Sequence, residues 1–91
     1  MLGHVQIHPD VVARRLEEEV VLVHLATNEI YRLNPTGARF WELLGEGLEL
    51  YDVKRSLESE FEVDRDTLDD EVERLVAELT DQGLLIADAR A

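Results

Sequence analysis

The sequence has no cysteine, only two prolines and few aromatic side chains, which make up 5% of its 91 residues. Without cysteine there is no disulfide, no thiolate metal ligand and no cysteine nucleophile. Basic residues are also scarce, since nine Lys and Arg face 21 Asp and Glu, a net charge of −12 at pH 7. Binding to nucleic acid or to an anionic membrane rests on cationic groups. We therefore expect neither as a partner.

Long apolar runs are missing as well. The run Val20–Val23 ends at His24, far short of the ~20 residues that a membrane-spanning helix needs. The N-terminus, Met1–His4, lacks the charged and then apolar layout of a secretory signal, which predicts a cytoplasmic protein. A chain of this length, with 45% hydrophobic and 33% charged residues, indicates one globular domain spanning residues 1–91 with one modest core.

The first third of the chain predicts β-strands. Three segments have strand character: Val11–Leu16, Val20–Leu25 and Glu29–Leu33. The second is rich in β-branched residues and apolar on both faces, as in a strand covered on two sides. In the third, Tyr31 and Leu33 share one face, and Ile30 and Arg32 share the other. Asn28 suits a tight turn because it tolerates the left-handed conformation. These features predict an antiparallel meander.

After Leu33 the apolar spacing becomes helical. Asn34 is a suitable N-cap and Pro35 a suitable first helical residue. A second helix is predicted over Leu50–Phe61. The third is capped by Asp64 and stopped by Gly83, and its apolar stripe consists of Leu68, Val72, Leu75 and Leu79, with Val76 at the edge. Two short segments, Val5–Ile7 and Leu84–Ile86, are candidates for extra strands. The predicted fold class is α+β and winged-helix-like: a three-stranded antiparallel meander followed by three helices.

No grouping of residues predicts catalysis or a bound cofactor. His4 and His8 are four residues apart, but a metal site needs a third ligand, and Pro9 disfavours the helical geometry that would bring the pair together. No serine or threonine is combined with histidine and a carboxylate. We therefore expect a protein that is not an enzyme and that has no metal ion or cofactor.

The third predicted helix carries an unusual amount of negative charge. Eight acids lie between Asp64 and Asp81 against two arginines, half of the chain's net charge. Those in the first turn match the helix dipole. Glu71 and Glu78 instead lie beside the apolar stripe. Two interpretations stay open: a solvated face, or a flank that meets Lys or Arg of a bound peptide.

Five short segments, taken in order, resemble the PqqD-like family. They are Tyr31-Arg32-Leu33-Asn34, Pro35-Thr36-Gly37-Ala38, Trp41-Glu42-Leu43-Leu44, Phe61-Glu62-Val63-Asp64 and Leu79-Thr80-Asp81-Gln82-Gly83-Leu84-Leu85. Members of this family are the peptide-recognition domains of ribosomal peptide natural-product pathways, called RiPP recognition elements. The resemblance covers roughly residues 11–86. It implies that the leader segment of a precursor peptide binds as an added strand on the third strand's edge, against the third helix.

The resemblance also implies which residues contact the leader and which proteins take part. The implied leader-binding positions are Asn28, Glu29, Ile30, Tyr31, Arg32, Leu33, Leu68, Glu71, Val72, Leu75, Val76, Glu78 and Leu79. The domain would deliver the leader to a separate leader peptidase, a transglutaminase-like cysteine protease of lasso peptide pathways. The alternative within the family is a PqqD-type chaperone that presents its peptide to a radical-SAM enzyme.

Two other classes of protein share the predicted fold. A winged-helix DNA-binding regulator needs a basic recognition helix, whereas the third helix here is acidic. A module that binds a folded protein partner through a helix face remains a candidate, and it predicts that another element of the same chain blocks the edge of the third strand.

Overall fold

The computed structural model describes residues 4–88. The predicted domain spans 1–91, and its two ends, 1–3 and 89–91, lie outside the described residues. The elements in chain order are β1 (His4–Ile7), β2 (Val11–Leu16), β3 (Glu19–His24), β4 (Ile30–Leu33), α1 (Pro35–Gly45), α2 (Leu50–Phe61), α3 (Arg65–Asp81) and β5 (Leu85–Asp88). This order confirms the predicted fold class, a meander followed by three helices.

The meander is an antiparallel sheet in the order β2-β3-β4. In its register Leu22 lies opposite Tyr31, and Val23 lies opposite Ile30. Asn28 has a φ of 64°, so the turn before β4 uses the left-handed conformation expected of asparagine. β2 has its predicted bounds, whereas β3 is shifted by one residue and β4 begins one residue later than predicted, because a strand ends where its ladder hydrogen bonds end.

The two segments that were candidates for extra strands pair with each other. β1 and β5 form an antiparallel two-stranded sheet in which Gln6 lies opposite Ile86. The amide of His8 also donates to the carbonyl of Leu84 at 3.1 Å. This second sheet holds the start of the described chain against the segment that follows α3.

Side-chain caps fix the starts of α1 and α3. Asn34 accepts a hydrogen bond from the Gly37 amide at 2.8 Å, and Pro35 is the first residue of α1. Asp64 accepts from the Thr67 amide at 3.3 Å at the start of α3. Gly83, with a φ of 78°, follows the end of α3. The caps therefore form as the sequence predicted.

Gly37 lets the first turn of α1 lie close to β4. A Cβ atom at this position would come within 3.2 Å of the Leu33 side chain, tighter than ordinary van der Waals contact. The helix that follows β4 therefore packs directly against the end of that strand.

The core lies between the inner face of the meander and the helices. The largest fully buried side chains are Phe40, Leu22, Leu33, Leu57, Leu68, Leu79, Leu84, Leu85, Val53 and Val72, and Trp41 is 5% exposed. His24 is buried as well, and its imidazole Nδ1 accepts from the Ala26 amide at 3.2 Å. The histidine of β3 thus has a structural role.

Two predictions about packing are wrong. Among residues 4–88, the structure buries only one face of β3, with Val20, Leu22 and His24 inward, and leaves the outer face partly buried because α1 packs against the inner side. On α3, Val76 is 4% exposed and belongs to the core, whereas Leu75 is only partly buried. The rotation of α3 is set by its packing against β5 and α2, which the spacing of its apolar residues does not reveal.

Over residues 4–88, no helix has the length and apolar composition needed to cross a membrane.

The different burial of two leucines on α3 gives a direct test of its rotation. Leu79→Ala removes a fully buried side chain and is expected to lower the free energy of unfolding by about 2–5 kcal/mol. Leu75→Ala is expected to cost clearly less, because this side chain already contacts solvent. Urea unfolding of both variants measures the difference, and equal losses would contradict the described rotation.

Candidate functional site

The outer edge of β4 is unpaired within the described part of the chain. β4 ends the sheet order, with β3 on its other side. The His24 amide donates to the Glu29 carbonyl at 2.9 Å, so Glu29 and its alternate neighbours Tyr31 and Leu33 bond to β3. Backbone groups of an antiparallel strand alternate in direction. The amides and carbonyls of Ile30 and Arg32 therefore face outward, free to bond another backbone.

A cleft of about 210 Å³ runs between β4 and α3 beside this edge. Its lining combines β4, the first turns of α1, one residue of α2 and one side of α3: Tyr31, Arg32, Leu33, Asn34, Thr36, Gly37, Phe40, Leu57, Glu71, Val72, Arg74, Leu75 and Glu78. Leu33, Phe40, Leu57 and Val72 reach it from the core. The cleft thus has an apolar base and a partly polar rim.

One hydrogen bond joins the two walls of the cleft. The Tyr31 hydroxyl donates to Oε1 of Glu78 at 2.5 Å. This bond, together with partial burial and the charge of Glu78, raises the pKa of Tyr31 to about 12. The phenol is therefore protonated at neutral pH and serves as a fixed donor between β4 and α3.

The charges around the cleft are mixed. Glu71 and Glu78 lie on the α3 wall together with Arg74, whereas Arg32 borders the cleft from β4 with its side chain on the outer face of the sheet. Arg32 is paired with Glu19 across the sheet, with 2.7 Å between Nη2 and Oε1. Two carboxylates and the guanidinium of Arg74 give the lining one net negative charge. Arg74 therefore offsets part of the acidity of α3 at this flank.

The structure brings seven of the thirteen predicted site residues to the cleft. They are Tyr31, Arg32, Leu33, Glu71, Val72, Leu75 and Glu78. Asn28 and Glu29 lie in the turn before β4, outside the lining. Ile30 contributes its backbone to the edge, while its side chain is 67% exposed and lies on the other face of the strand from Tyr31.

Leu68, Val76 and Leu79 do not reach the cleft. Each is at most 4% exposed, because the rotation of α3 turns all three toward the core. The sequence reasoning missed Asn34, Thr36, Gly37, Phe40, Leu57 and Arg74. Asn34, Thr36 and Gly37 could have been found from the helix start at Asn34-Pro35. Because this start follows β4 directly, it places the first turn of α1 beside the strand.

Nothing within residues 4–88 gathers three or more His, Asp or Glu side chains in a position to hold a metal ion. The rings of His8 and His24 pack against each other at an interplanar angle of 47°, with their centroids 4.5 Å apart. Each accepts a backbone hydrogen bond at Nδ1, from Asp10 and Ala26 respectively. The two rings are thus used in packing and turn formation.

The fold and the unpaired edge of β4 indicate a domain that can accept an added strand. Comparison with known proteins identifies its family. The sequence profile described as Coenzyme PQQ synthesis protein D (PqqD) matches residues 19–85, most of the chain. The chain belongs to the PqqD family, which confirms the resemblance seen in the sequence. Among curated protein sequences, none matches the chain.

Two solved structures are similar over nearly the whole chain. One is described as TbiB1 in complex with the TbiA(beta) leader peptide; it is 32% identical, with a TM-score of 0.86, over 92% of this chain and 98% of that one. The other is described as a lasso peptide synthetase B1 complexed with the leader peptide. It is 26% identical, with a TM-score of 0.81, over 92% of this chain and 99% of that one.

The bond between Tyr31 and Glu78 predicts a measurable pKa change. In a Tyr51→Phe background Tyr31 is the single titrating phenol, since the chain has two tyrosines. Glu78→Gln removes the charge and the strong acceptor, so the pKa of Tyr31 is expected to fall from about 12 toward 10.0. Absorbance titration of the tyrosinate measures it. Glu73→Gln, on the same helix but outside the cleft, is the control and leaves the pKa unchanged.

The raised pKa of Tyr31 also determines how the stability of the fold changes with pH. The unfolded chain releases the phenolic proton first as pH rises, because the pKa of Tyr31 is higher in the folded state. The stabilisation is therefore fully present below pH 10.0 and is lost between there and about pH 12. An equal decline of stability over that range in Glu78→Gln would contradict the described bond.

Proposed function

We propose that this protein is a non-catalytic recognition domain for the leader segment of a ribosomally made precursor peptide. The leader adds as a strand to the outer edge of β4, against α3, and is delivered to a separate leader peptidase in lasso peptide maturation. The observation that carries the proposal is the unpaired edge at Ile30 and Arg32, next to an apolar cleft. It is supported by two similar structures, both described as complexes with a leader peptide.

Strand addition uses the groups that β4 leaves free. Ile30 and Arg32 each offer one N–H and one C=O, about 6.6–6.8 Å apart along the strand. Backbone bonds of this kind give affinity for any extended peptide. The turn residues Asn28 and Glu29 mark one end of this edge, and the α1 cap at Asn34 marks the other. The edge therefore accepts a short extended segment, a few residues long.

The cleft supplies the selection among peptides. Side chains of a strand alternate between two faces, so every second leader residue points between β4 and α3. There it meets apolar surface from Val72 and Leu75, the Tyr31 ring, and the carboxylates of Glu71 and Glu78. Leu68, Val76 and Leu79 act indirectly, by fixing the rotation of α3 from within the core. We expect a leader with an apolar side chain directed into the cleft.

Glu71 is the carboxylate best placed to select a basic leader residue. Glu78 already accepts the Tyr31 hydroxyl, whereas Glu71 forms no ion pair among the residues described. Arg74 lies one turn from Glu71 on the same wall, and its positive charge repels a second basic side chain of the leader. A leader with one Lys or Arg, flanked by apolar residues, fits this arrangement.

Delivery needs no chemistry from the domain itself. Tethering the leader raises the effective concentration of the cleavage site near a peptidase that binds the same domain. The proposed peptidase is a separate protein similar to transglutaminase-type cysteine proteases.

The two outward-facing amides of β4 give the sharpest test. Arg32→Pro removes one donor from the free edge, and leader binding measured by isothermal calorimetry is expected to weaken about tenfold or more, since a hydrogen bond and the strand geometry are lost together. Arg32→Lys keeps the amide and the charge and is expected to bind nearly as well as the parent protein. The core half of the precursor serves as the control ligand.

A second experiment modifies the leader and leaves the protein unchanged, so that a loss of binding cannot result from misfolding of the protein. Leader peptides N-methylated at successive single positions lose one backbone donor each. Strand addition predicts weakened binding at every second position, because only alternate amides face β4. Uniform loss at all positions, or none, would overturn strand addition, and a folded parent protein that binds no leader would overturn the proposed function.

A further inference from the structure

The outer face of the β2-β3-β4 sheet carries a row of apolar side chains. The register places Val12 opposite Val23 and Val23 opposite Ile30, so these three β-branched residues form one row across the strands. Val12 is 48% exposed and Ile30 is 67% exposed. Leu16, further along the same face of β2, is 49% exposed. A sheet face of this kind is unusual on a surface that meets only water.

The sequence of β3 is that of a strand covered on both sides. Its inner residues are buried, and its outer residues Val21 and Val23 are apolar although α1 packs only on the inner side. Antiparallel sheets with one solvated face ordinarily alternate apolar and polar residues. The absence of that alternation in β3 indicates a face that another surface covers.

Positive charge borders the apolar row. Arg14 and Arg32 flank Val21 in the next row of the sheet. Arg32 is paired with Glu19, and Arg14 has no ion-pair partner within 4.0 Å among the described residues. The neighbouring Arg15 points to the opposite face and pairs with Glu42 of α1. Glu19 lies on this face as well, so its two arginines leave it one net positive charge in a chain with a net charge of −12.

We propose that this face docks the leader-processing enzyme, through an apolar surface bordered by carboxylates on the enzyme. This inference rests on the proposed function and adds a second binding site to it. Apolar contact supplies the affinity, and the arginines select an acidic border. Ile30 lies at the junction, since its side chain ends the apolar row and its backbone belongs to the leader edge. A docked enzyme is thereby placed beside the bound leader.

The test measures leader binding and processing separately. Val12→Glu and Arg14→Glu alter β2, the strand furthest from the leader edge. Leader affinity by calorimetry is expected to stay unchanged. In a cleavage assay with the cognate precursor and leader peptidase, the concentration of domain giving half-maximal rate is expected to rise about tenfold, equivalent to about 1.4 kcal/mol. Val12→Thr keeps a β-branched residue and gives a milder loss in a variant that preserves the strand.

Matched controls carry the same substitutions elsewhere. Val63→Glu and Arg55→Glu change an exposed valine and an exposed arginine in the α2–α3 region, and cleavage is expected to proceed as with the parent protein. Normal cleavage with Val12→Glu and Arg14→Glu would overturn the docking proposal and leave the proposed function intact. A dimer of the parent protein that Val12→Glu dissociates in sedimentation velocity would also overturn it, because the face would then bind a second copy. Failure of the parent protein to bind leader would overturn the proposed function itself.

Discussion

A strand edge with unpaired backbone groups is the feature on which the rest of this molecule depends. Such an edge is a template for another chain, and proteins normally cover or blunt it. Here the chain turns away immediately after β4, because Asn34 and Pro35 begin α1 and Gly37 lets that helix pack against the strand. No further strand is added at this side within residues 4–88. Ile30 and Arg32 are left with free donors and acceptors.

In the proposed function, the helix α3 makes this edge selective. An isolated edge bonds any backbone, whereas an edge beside a packed helix also offers side-chain contacts. Core packing of Val76 and Leu79 sets the rotation of α3, and that rotation turns Leu75 and Glu78 toward β4. The bond from Tyr31 to Glu78 holds the two walls together. The proposed function thus links stability and recognition through the rotation of one helix.

Local chemistry was sufficient to predict most of the elements. The Asn34-Pro35 start, the helix Leu50–Phe61, the Asp64 cap and the Gly83 stop depend on interactions within a few residues, so the sequence shows them directly. The alternation of β4 was equally clear, with Leu33 buried and Ile30 exposed.

The parts that could not be predicted depend on contacts between distant residues. Leu75 and Val76 are adjacent and both apolar, so periodicity alone does not decide which one faces the core. The Tyr31–Glu78 bond joins residues 47 positions apart. The composition of β3 predicted that both of its faces are covered. Composition does not show whether the covering element is a helix of the same chain or a partner protein.

The most direct test of strand addition is amide hydrogen exchange of β4, followed by NMR with and without the leader peptide. Ile30 and Arg32 are expected to exchange much more slowly in the complex, because their outward amides become bonded. Tyr31, whose amide already bonds to β3, is expected to change little. Protection confined to the helices, with Ile30 and Arg32 unchanged at saturating leader, would contradict the account.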